Sequence, residues 1–463
     1  MVQYTYDMSK RSAPKLLIIT PDVVGKKMAG PGMRYVAIAK ALSPMMPVTF
    51  AIGIEGSQTY DFDDLAITTK TYSHVDELNK LIDDCDAIFC QFVDTNAVNY
   101  ALTKGKKVIY DLYNALPIET VGAEKISGYT TTLDKDREYT ELLRYFKFCS
   151  QTGSYFVTSN ERQRDWWLGY IMASRGILPS NLNKRAMEDI IGLVPFGMEE
   201  QDPKPTGHGL RGKYGIKDDD FVLIWGGGIW DWFDAETPIR AVAELAKTDP
   251  RIKIVFYGTV HPNSAVGKPK AVDRAQKLAK DLNVFGTQVI FHDGWIPANE
   301  RVNYLADADV AVSSHIESLE THYAFRTRIL DHFWVKLPSL VTEGDWFANY
   351  IAKNDLGIVT PCLDLESTKE AILTLQKDSK RSRIIKNISD IRENWRWSET
   401  TSDLQNFLLN DLQSSPQLLP PSVDDTPPAP TFAGYLKQSK AVEKLKTTAV
   451  WPYVRKAKRI IKR

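Results

Sequence analysis

The chain has 463 residues, too many for one ordinary hydrophobic core, so its length predicts two or three domains. Its 58 basic and 58 acidic residues balance, which gives no reason to expect a nucleic-acid partner. Four cysteines without zinc or disulfide spacing, no secretion signal at the N-terminus and no run of ~20 apolar residues predict a cytosolic protein that is not integral in a membrane.

Strand-length apolar runs alternate with helix-length segments in two successive blocks, a pattern typical of parallel sheets built from βαβ units. The first block begins with KLLIIT at residues 15–20 and ends near residue 167. The second begins with FVLIWGGG at residues 221–228 and ends with LGIVTP. A segment rich in Gly, Pro and charge separates them near residue 200. The sequence thus predicts an α/β fold with two doubly wound lobes, residues 1–200 and 201–390.

Glycine-containing loops follow strands at equivalent places in the two blocks. The loop after FVLIW contains Gly226, Gly227 and Gly228. The loop after the first strand contains Gly30 and Gly32 and leads into a helix that carries Arg34. Glycines at the carboxyl end of a parallel strand let a ligand approach closely and leave backbone amides free for an anion. We expect both loops to face a ligand at the same crevice; the alternative for the loop of Gly226, Gly227 and Gly228 is a tight turn.

The segment SLETHYAFRTRILDHFWVKLPSLVTEGD, residues 318–345, combines many charges with a core-like pattern. Apolar residues at every fourth position predict a helix over residues 325–334. Glu317 and Glu320 follow the strand DVAVSS, and Arg326 and Arg328 lie at the start of that helix. Carboxylates and arginines placed in this way suit the hydroxyls of a sugar and a phosphate. The alternative is an ordinary helical ion pair between Arg328 and Asp331.

Two further candidates follow strands. His292 comes after the strand QVIF, where we expect it to line a nucleotide pocket unless it is only a turn residue. Asp111 ends a strand of the first lobe, and Asn114 follows it. Ligands of open α/β sheets bind at this edge, so we expect Asp111 and Asn114 to contact a ligand. The Asp-x-Asp sequence at residues 307–309 lies where a helix ends, so we expect no metal site.

Several longer motifs point to a known family. They are WGGGIWDWFD, VPFG, FHDGWIPANERVNYLADADVAVSSHIESLET, FRTRILDHFWVKLPSLVTEGDWFA and RENWRWSE. With these motifs, roughly residues 15–405 resemble GT-B glycosyltransferases of family 4, particularly bacterial enzymes of cell-envelope polysaccharide assembly. The resemblance implies two Rossmann-like lobes facing a central cleft, the nucleotide-sugar donor on the second lobe and the acceptor on the first. The loop of Gly226, Gly227 and Gly228 is then expected to bind the donor, and the loop with Gly30, Gly32 and Arg34 an acceptor or a phosphate. Asp111 becomes a catalytic candidate in contact with the donor sugar or the acceptor. The resemblance also implies hexosyl transfer with retention of configuration, no cofactor, and a helix over residues 391–413 that crosses back to the first lobe.

The resemblance assigns roles to single residues, and the chain departs from the family at some of them. The family commonly has two Glu residues separated by seven others, whereas Tyr323 and Asp331 stand in that register here. The second Glu of the family binds the ribose, and Asp331 matches it only in charge. The role of the first Glu is assigned to Glu320, as the catalytic carboxylate. The Arg and Lys usual after the glycine loop are also absent. Arg326 and Arg328 are the expected replacements for binding the donor diphosphate.

The sequence leaves three functions open. The leading hypothesis is a retaining glycosyltransferase that transfers a sugar from a nucleotide-sugar donor to a glycan or lipid-linked acceptor. An epimerase of nucleotide sugars on the same fold is one alternative, because a fold does not determine its chemistry. The other is a catalytically inactive sugar-binding scaffold subunit, since Tyr323 occupies the place of a family carboxylate.

The C-terminal region differs in composition from the rest of the chain. Residues 414–430 contain six prolines, which predicts an extended linker. Residues 431–463 contain ten Lys or Arg and one Glu, interspersed with aromatic and aliphatic residues. We expect this basic tail to bind an anionic membrane surface and to hold the protein at the inner face of the cell membrane. The alternatives are a solvated tail or a contact with a partner protein.

Overall fold

The computed structural model of the protein describes most of the two blocks. The described residues are 13–25, 28–53, 57–62, 65–121, 131–182, 185–259, 269–292, 294, 296–297, 300–416, 418–419 and 421. The basic tail at residues 431–463 and most of the Pro-rich linker therefore lie outside the described residues, so the membrane-binding prediction is not addressed by the structure. Among the helices that are described, none combines the length and the apolar composition that a membrane span requires.

The first lobe is built on a sheet of seven parallel strands in the order β3-β2-β1-β4-β5-β6-β7. The strands are β1 Leu16–Ile19, β2 Val48–Ile52, β3 Ile67–Thr71, β4 Ala87–Cys90, β5 Lys107–Asp111, β6 Tyr155–Thr158 and β7 Ile191–Leu193. The helices around it are α1 Gly30–Leu42, α2 Val75–Asp83, α3 Thr95–Thr103, α4 Leu116–Val121, α5 Thr132–Thr152, α6 Glu161–Ala173 and α7 Pro179–Leu182, followed by a 3-10 turn at Met187–Ile190.

The second lobe is built on six parallel strands in the order β10-β9-β8-β11-β12-β13. The strands are β8 Phe221–Trp225, β9 Ile252–Phe256, β10 Val289–Phe291, β11 Val310–Ser313, β12 Ser339–Thr342 and β13 Gly357–Thr360. Its helices are α8 Glu236–Leu245, α9 Lys270–Asp281, α10 Arg301–Ala306, α11 Leu319–Tyr323, α12 Arg328–Trp334, α13 Trp346–Asn354, α14 Leu365–Leu375 and α15 Asp378–Ile391.

Burial on both faces explains the composition of the central strands. Every residue of β1, with the sequence LLII, and of β8, with the sequence FVLIW, is buried. Helices cover both faces of a parallel sheet, so its central strands read as continuous apolar runs rather than alternating ones. Both sheets reverse their strand order at the first strand, which is the doubly wound arrangement. The predicted α/β fold with two doubly wound lobes is therefore confirmed.

The chain returns to the first lobe after α15. A 3-10 turn at Arg392–Trp395 leads into α16 Trp397–Thr400, α17 Ser402–Asn406 and a π-helical turn at Phe407–Asp411. Helix α16 packs against α1, and α17 packs against β7. The ring of Phe407 stacks on that of Tyr155 with centroids 4.0 Å apart, and the Leu193 amide donates to Asp403 Oδ2 at 2.7 Å. This segment completes the core of the first lobe.

The first turn of α6, residues 161–163, joins the two lobes; we call it the α6 clamp. Its partners in the second lobe are His322, Tyr323, Gly344 and Trp346. Four hydrogen bonds of 2.7 to 3.0 Å connect them, two of which come from one guanidinium nitrogen of Arg162. Asn160 caps this helix, since its side chain accepts from the Gln163 amide. The clamp holds the carboxyl ends of the strands of both sheets against one cleft.

Candidate active site

The predicted donor loop follows β8 and touches the loop after β9. Gly227 has a φ of +93° and Gly258 a φ of +83°. A Cβ atom on Gly258 would lie 2.8 Å from the carbonyl carbon of Gly227, so only glycine permits this contact. A Cβ atom on Gly226 would lie 2.7 Å from Tyr257 Oη, and one on Gly228 would meet a tryptophan side chain. Close packing of the two loops thus accounts for these glycines, and their predicted contact with a donor remains a prediction.

Arg328, the first residue of α12, contacts this loop within the second lobe. Its Nη2 donates to the Gly228 carbonyl oxygen at 2.8 Å, and its guanidinium lies 4.1 Å from the ring centroid of Phe233. Burial, with repulsion from Arg326 as a second cause, lowers the pKa of Arg328 to about 9. Its Nη1 is buried without a hydrogen-bond partner among the described residues. Arg328 therefore presents an unused donor beside the glycine loop.

Glu320 and Arg326 form a bidentate ion pair at the cleft. The distances are 3.0 Å from Nη1 to Oε1 and 2.8 Å from Nη2 to Oε2. The Glu320 side chain is 20% exposed, whereas that of Arg326 is 7% exposed. Arg326 also packs on the Phe233 ring that Arg328 contacts, at 5.0 Å. The structure thus brings together the three charged residues that the sequence analysis gave to catalysis and to the donor diphosphate.

The backbone of residues 318–328 explains this pairing. Ser318 caps α11 by accepting from the Thr321 amide at 3.0 Å. Ala324 is extended, with φ −66° and ψ 148°, so the chain turns back after α11. The predicted helix over residues 325–334 is wrong at its start, because α12 begins at Arg328. Arg326 therefore lies in the turn, from which it reaches back to Glu320.

The remaining acidic candidates lie on either side of this pair. Asp331 pairs with Arg301 at 3.3 Å, and burial raises the pKa of its carboxyl. The helical ion pair with Arg328, which the sequence allowed, is not formed. Glu317 is exposed in the loop between β11 and α11. Asp331 and Glu317 both lie in the second lobe beside the cleft, and their predicted contacts with a donor remain predictions.

His292 follows β10 at the same edge of the sheet. The Tyr214 hydroxyl lies 2.6 Å from its Nδ1, and its ring contacts that of Tyr304 at 5.6 Å. Its backbone carbonyl accepts from the Thr259 hydroxyl, at 3.0 Å, in the loop after β9. These contacts fix the imidazole next to the loops that follow β8 and β9. Its predicted role in lining a nucleotide pocket remains a prediction.

Arg34 and Asp111 form a buried ion pair within the first lobe. Arg34 donates from Nε and Nη2 to the two Asp111 carboxylate oxygens, each at 2.8 Å, and from Nη2 to the Val194 carbonyl oxygen at 2.8 Å. Both side chains are 0% exposed. Burial of both side chains favours a structural role for the pair. The predicted roles of Asp111 in catalysis and of Arg34 in binding an acceptor or a phosphate remain predictions.

The two glycines of the first loop differ. A Cβ atom on Gly32 would lie 2.6 Å from the Val23 carbonyl oxygen, so this glycine serves the close packing of α1 on the loop before it. Gly30 begins α1, and a Cβ atom there would meet nothing within 4 Å. Close packing thus accounts for the choice of glycine at residue 32, and the predicted role of both glycines in binding an acceptor or a phosphate remains a prediction.

Two residues missed by the sequence analysis lie behind the Glu320 pair. His315 follows β11, and its Nε2 lies 3.1 Å from the Glu343 carbonyl oxygen. Asp345 follows β12 and caps α13 by accepting from the Ala348 amide at 2.7 Å. Burial lowers the pKa of His315 to about 3 and raises that of Asp345 to about 6. Both directly follow predicted strands, so the strand-end rule applied to His292 would have found them.

A third missed residue, Glu119 on α4, approaches from the first lobe. Its carboxylate accepts from Asn114 Nδ2 at 3.0 Å. Burial, together with the negative charge of Glu320, raises its pKa to about 7. The sequence offered no signal for Glu119 other than its place after the strand end marked by Asn114. Among the described residues, no three His, Cys, Asp or Glu side chains are grouped as a metal site would require.

Comparison with solved structures finds proteins of similar fold. A glycosyltransferase from Rickettsia africae aligns with a TM-score of 0.62 at 13% identity, over 87% of this chain and 100% of that chain. HepE from Anabaena, in complex with UDP and glucose, aligns with a TM-score of 0.58 at 13% identity, over 85% and 99%. WaaG, a glycosyltransferase involved in lipopolysaccharide biosynthesis, aligns with a TM-score of 0.56 at 15% identity, over 85% and 100%.

No protein-family model matches the sequence, and no curated protein matches it. The structural matches cover both lobes, and at 13% to 15% identity the shared property is the fold. Two parallel sheets of seven and six strands, joined by a segment that returns from the second lobe to the first, complete the likeness. The chain therefore has the GT-B fold of glycosyltransferases.

Proposed function

We propose that the protein is a glycosyltransferase that transfers a hexosyl group from a nucleotide-sugar donor, with retention of anomeric configuration. The observation that carries the proposal is the arrangement of Glu320, Arg326 and Arg328 at the carboxyl ends of the second sheet, facing the cleft of a GT-B fold. A cation with an unused donor beside a glycine loop suits a diphosphate. A carboxylate at the cleft suits the positive charge that develops at an anomeric carbon.

The proposed donor pocket divides its work between these residues. Arg328, held by the Gly228 carbonyl oxygen, would neutralise the diphosphate as it departs. Arg326 holds the Glu320 carboxylate in one orientation through two hydrogen bonds, which is the preorganisation that transition-state stabilisation requires. Asp331, His292 and Glu317 would contact the rest of the donor. The acceptor, a glycan or a lipid-linked saccharide of the cell envelope, would lie on the first lobe.

An inactive sugar-binding scaffold is the second candidate. It is favoured by Tyr323, which stands where the family has a carboxylate and whose carbonyl oxygen is engaged by the α6 clamp. In this case the pocket would bind a nucleotide sugar without turning it over. The same panel of donors that tests the first proposal separates the two.

The test uses the full chain and a panel of UDP-, GDP-, dTDP- and CMP-sugars, with UDP-glucose first because HepE was solved with it. Slow hydrolysis of one donor, with a released sugar of unchanged anomeric configuration by rapid NMR, is the expected result. Interconversion of two nucleotide sugars would instead indicate an epimerase, and binding without turnover would indicate a scaffold. A sugar released with inverted configuration would contradict the retaining mechanism.

The basic tail supports a proposed location at the inner face of the cell membrane. Ten basic residues against one acidic residue would attract anionic lipid, at about 1 kcal/mol for each basic residue near the surface, and the interspersed aromatic residues would insert at headgroup depth. A lipid-linked acceptor would make this location useful. Removing residues 431–463 should abolish co-sedimentation with anionic liposomes at low salt while nucleotide binding persists. Unchanged co-sedimentation would exclude the tail as the anchor.

A further inference from the structure

Glu119 occupies the point at which the first lobe meets the proposed catalytic carboxylate. It lies on α4, which follows β5 and packs against α11, the helix that carries Glu320. The negative charge of Glu320 is, after burial, the largest influence on its carboxyl group. Glu119 is thus a carboxylate of the proposed acceptor lobe that lies near Glu320 of the donor lobe.

A chain of hydrogen bonds orients the Glu119 carboxylate. Gln91 Nε2, after β4, donates to Asn114 Oδ1 at 3.1 Å, and Asn114 Nδ2, after β5, donates to Glu119 Oε2 at 3.0 Å. Trp167 Nε1 on α6 holds the Asn114 carbonyl oxygen at 3.2 Å. The chain fixes Oε2 and leaves Oε1 without a hydrogen-bond partner within the described part of the protein.

The charges around Glu119 leave it without a cation of its own. Arg326 is committed to Glu320 by two hydrogen bonds, and no ion pair to Glu119 is formed among the described residues. The other titratable groups near it are Tyr113 after β5 and Tyr139 of α5, which donates to a carbonyl oxygen at the start of α4. A half-buried carboxylate that has a fixed orientation and no cation is suited to accept a proton.

We propose that Glu119 is the base that takes the proton of the acceptor hydroxyl during transfer. The acceptor O–H bond breaks and its proton passes to Glu119 Oε1. The acceptor oxygen bonds to the anomeric carbon on the face from which the diphosphate departs, as retention requires. The bond from that carbon to the diphosphate breaks, and its electron pair leaves on the nucleotide diphosphate. This role rests on the proposed transferase function and adds to it the residue that activates the acceptor.

The experiment measures donor hydrolysis against pH, with the nucleotide sugar selected by the panel and with water as acceptor. In the parent, kcat should rise with pH through about 7, because only the ionised carboxylate accepts a proton and its pKa is raised to about 7. Glu119→Gln should lower kcat about 10²-fold and remove this rise, which is the acidic limb of the pH profile. Glu119→Asp should keep the limb at a reduced rate. Glu119→Ala should regain activity when formate is added.

The matched control is Glu141→Gln, an exposed carboxylate of the same lobe that pairs with Arg144 at 2.9 Å, which should leave the profile unchanged. Nucleotide diphosphate affinity, measured by calorimetry, should be equal in all variants and shows that each is folded. A Glu119→Gln variant with the parent's rate and limb overturns the role of Glu119 and leaves the transferase intact. A parent that turns over none of the donors overturns both proposals.

Discussion

Each lobe contains a bidentate arginine–carboxylate pair, Arg34 with Asp111 in the first and Arg326 with Glu320 in the second, and the two pairs differ in their exposure. Arg34 and Asp111 in the first lobe are both 0% exposed, whereas Glu320 in the second is 20% exposed against 7% for Arg326. Each pair is bidentate, and each guanidinium packs on an aromatic ring. Arg34 donates from Nε and Nη2, whereas Arg326 donates from Nη1 and Nη2, and only the second pair has a partly exposed carboxylate.

This difference shows that residue type and place in the sequence do not alone identify a ligand-binding site. An acid at the end of a strand and an arginine on a nearby helix predicted ligand contacts in both lobes. In the first lobe, Tyr113 and Phe196 lie on the Arg34 guanidinium at 5.2 and 4.9 Å, and the Val194 carbonyl oxygen takes a further hydrogen bond from it. These contacts enclose the Arg34 charge within the core of the first lobe. The Glu320 carboxylate, in contrast, is partly exposed.

The largest effect is expected from removing the carboxylate of the fully buried pair, Arg34 and Asp111. Asp111→Ala should lower the free energy of unfolding by about 3 to 5 kcal/mol, because it leaves the buried Arg34 charge without its partner. Urea unfolding followed by circular dichroism measures this. Asp134→Ala, which removes an exposed partner 3.5 Å from Arg137, is the control and should cost about 0 to 1 kcal/mol. Equal stability of both variants would contradict the structural role of Asp111.

Removing the charge of Glu320 from the partly exposed pair, Arg326 and Glu320, should affect turnover rather than stability. Glu320→Gln should reduce kcat about 10²-fold, since a neutral amide cannot stabilise positive charge at the anomeric carbon. Nucleotide diphosphate affinity should remain that of the parent, because the amide preserves the shape of the pocket. Glu366→Gln, an exposed carboxylate paired with Lys369, is the control. Full activity of Glu320→Gln would remove this residue from the catalytic centre.

The two arginines of the second lobe should separate in a binding measurement. Arg328→Ala should weaken nucleotide diphosphate binding by about 1.5 to 3 kcal/mol, because it removes a charge-assisted contact at the glycine loop. Arg326→Ala should weaken it less and reduce turnover more, since Arg326 is committed to Glu320. Calorimetry with UDP and GDP provides the measurement, and Arg383→Ala, 62% exposed, is the control. Parental affinity in both variants would contradict the pocket assignment.

The last prediction concerns a buried imidazole without charge, His332. Burial, with the nearby Arg328 charge, lowers the pKa of His332 to about 3, from 6.5 when it is exposed. Below pH 6.5 the unfolded chain binds a proton that the folded chain does not, so stability is lost at about 1.4 kcal/mol per pH unit as the pH falls. The stability advantage of the parent over His332→Asn should therefore shrink between pH 6 and 4 in urea unfolding. A constant difference would contradict this.

Most of the fold could be predicted because central parallel strands are unbroken apolar runs. The strands that the sequence analysis missed were β3, with the sequence ITTKT, and β7, with the sequence IGL. Both lie at the edges of the first sheet. Three of the five residues in β3 are exposed and β7 has only three residues, so neither has the length and hydrophobicity of a central strand.

The site was predictable in part, for a related reason. Glu320, Arg326 and Arg328 were found because charges within an apolar segment require an explanation. The burial of Asp111 was not predictable, because it depends on Arg34, which is distant in sequence and joins it only after the sheet has formed. Glu119 was missed because its position depends on the approach of the two lobes, a contact between segments about 200 residues apart in the chain.

The return of α16 and α17 to the first lobe bears on how the protein is synthesised. The ring of Phe407 stacks on that of Tyr155, and Asp403 accepts a hydrogen bond from the edge strand β7. Both residues nevertheless emerge from the ribosome after the whole second lobe. At roughly 5 to 20 residues per second, roughly 200 intervening residues delay them by about 10 to 40 seconds. During that interval the first lobe has a sheet without its final cover. Nascent chains stalled before residue 397 should therefore be the species that chaperones bind most strongly.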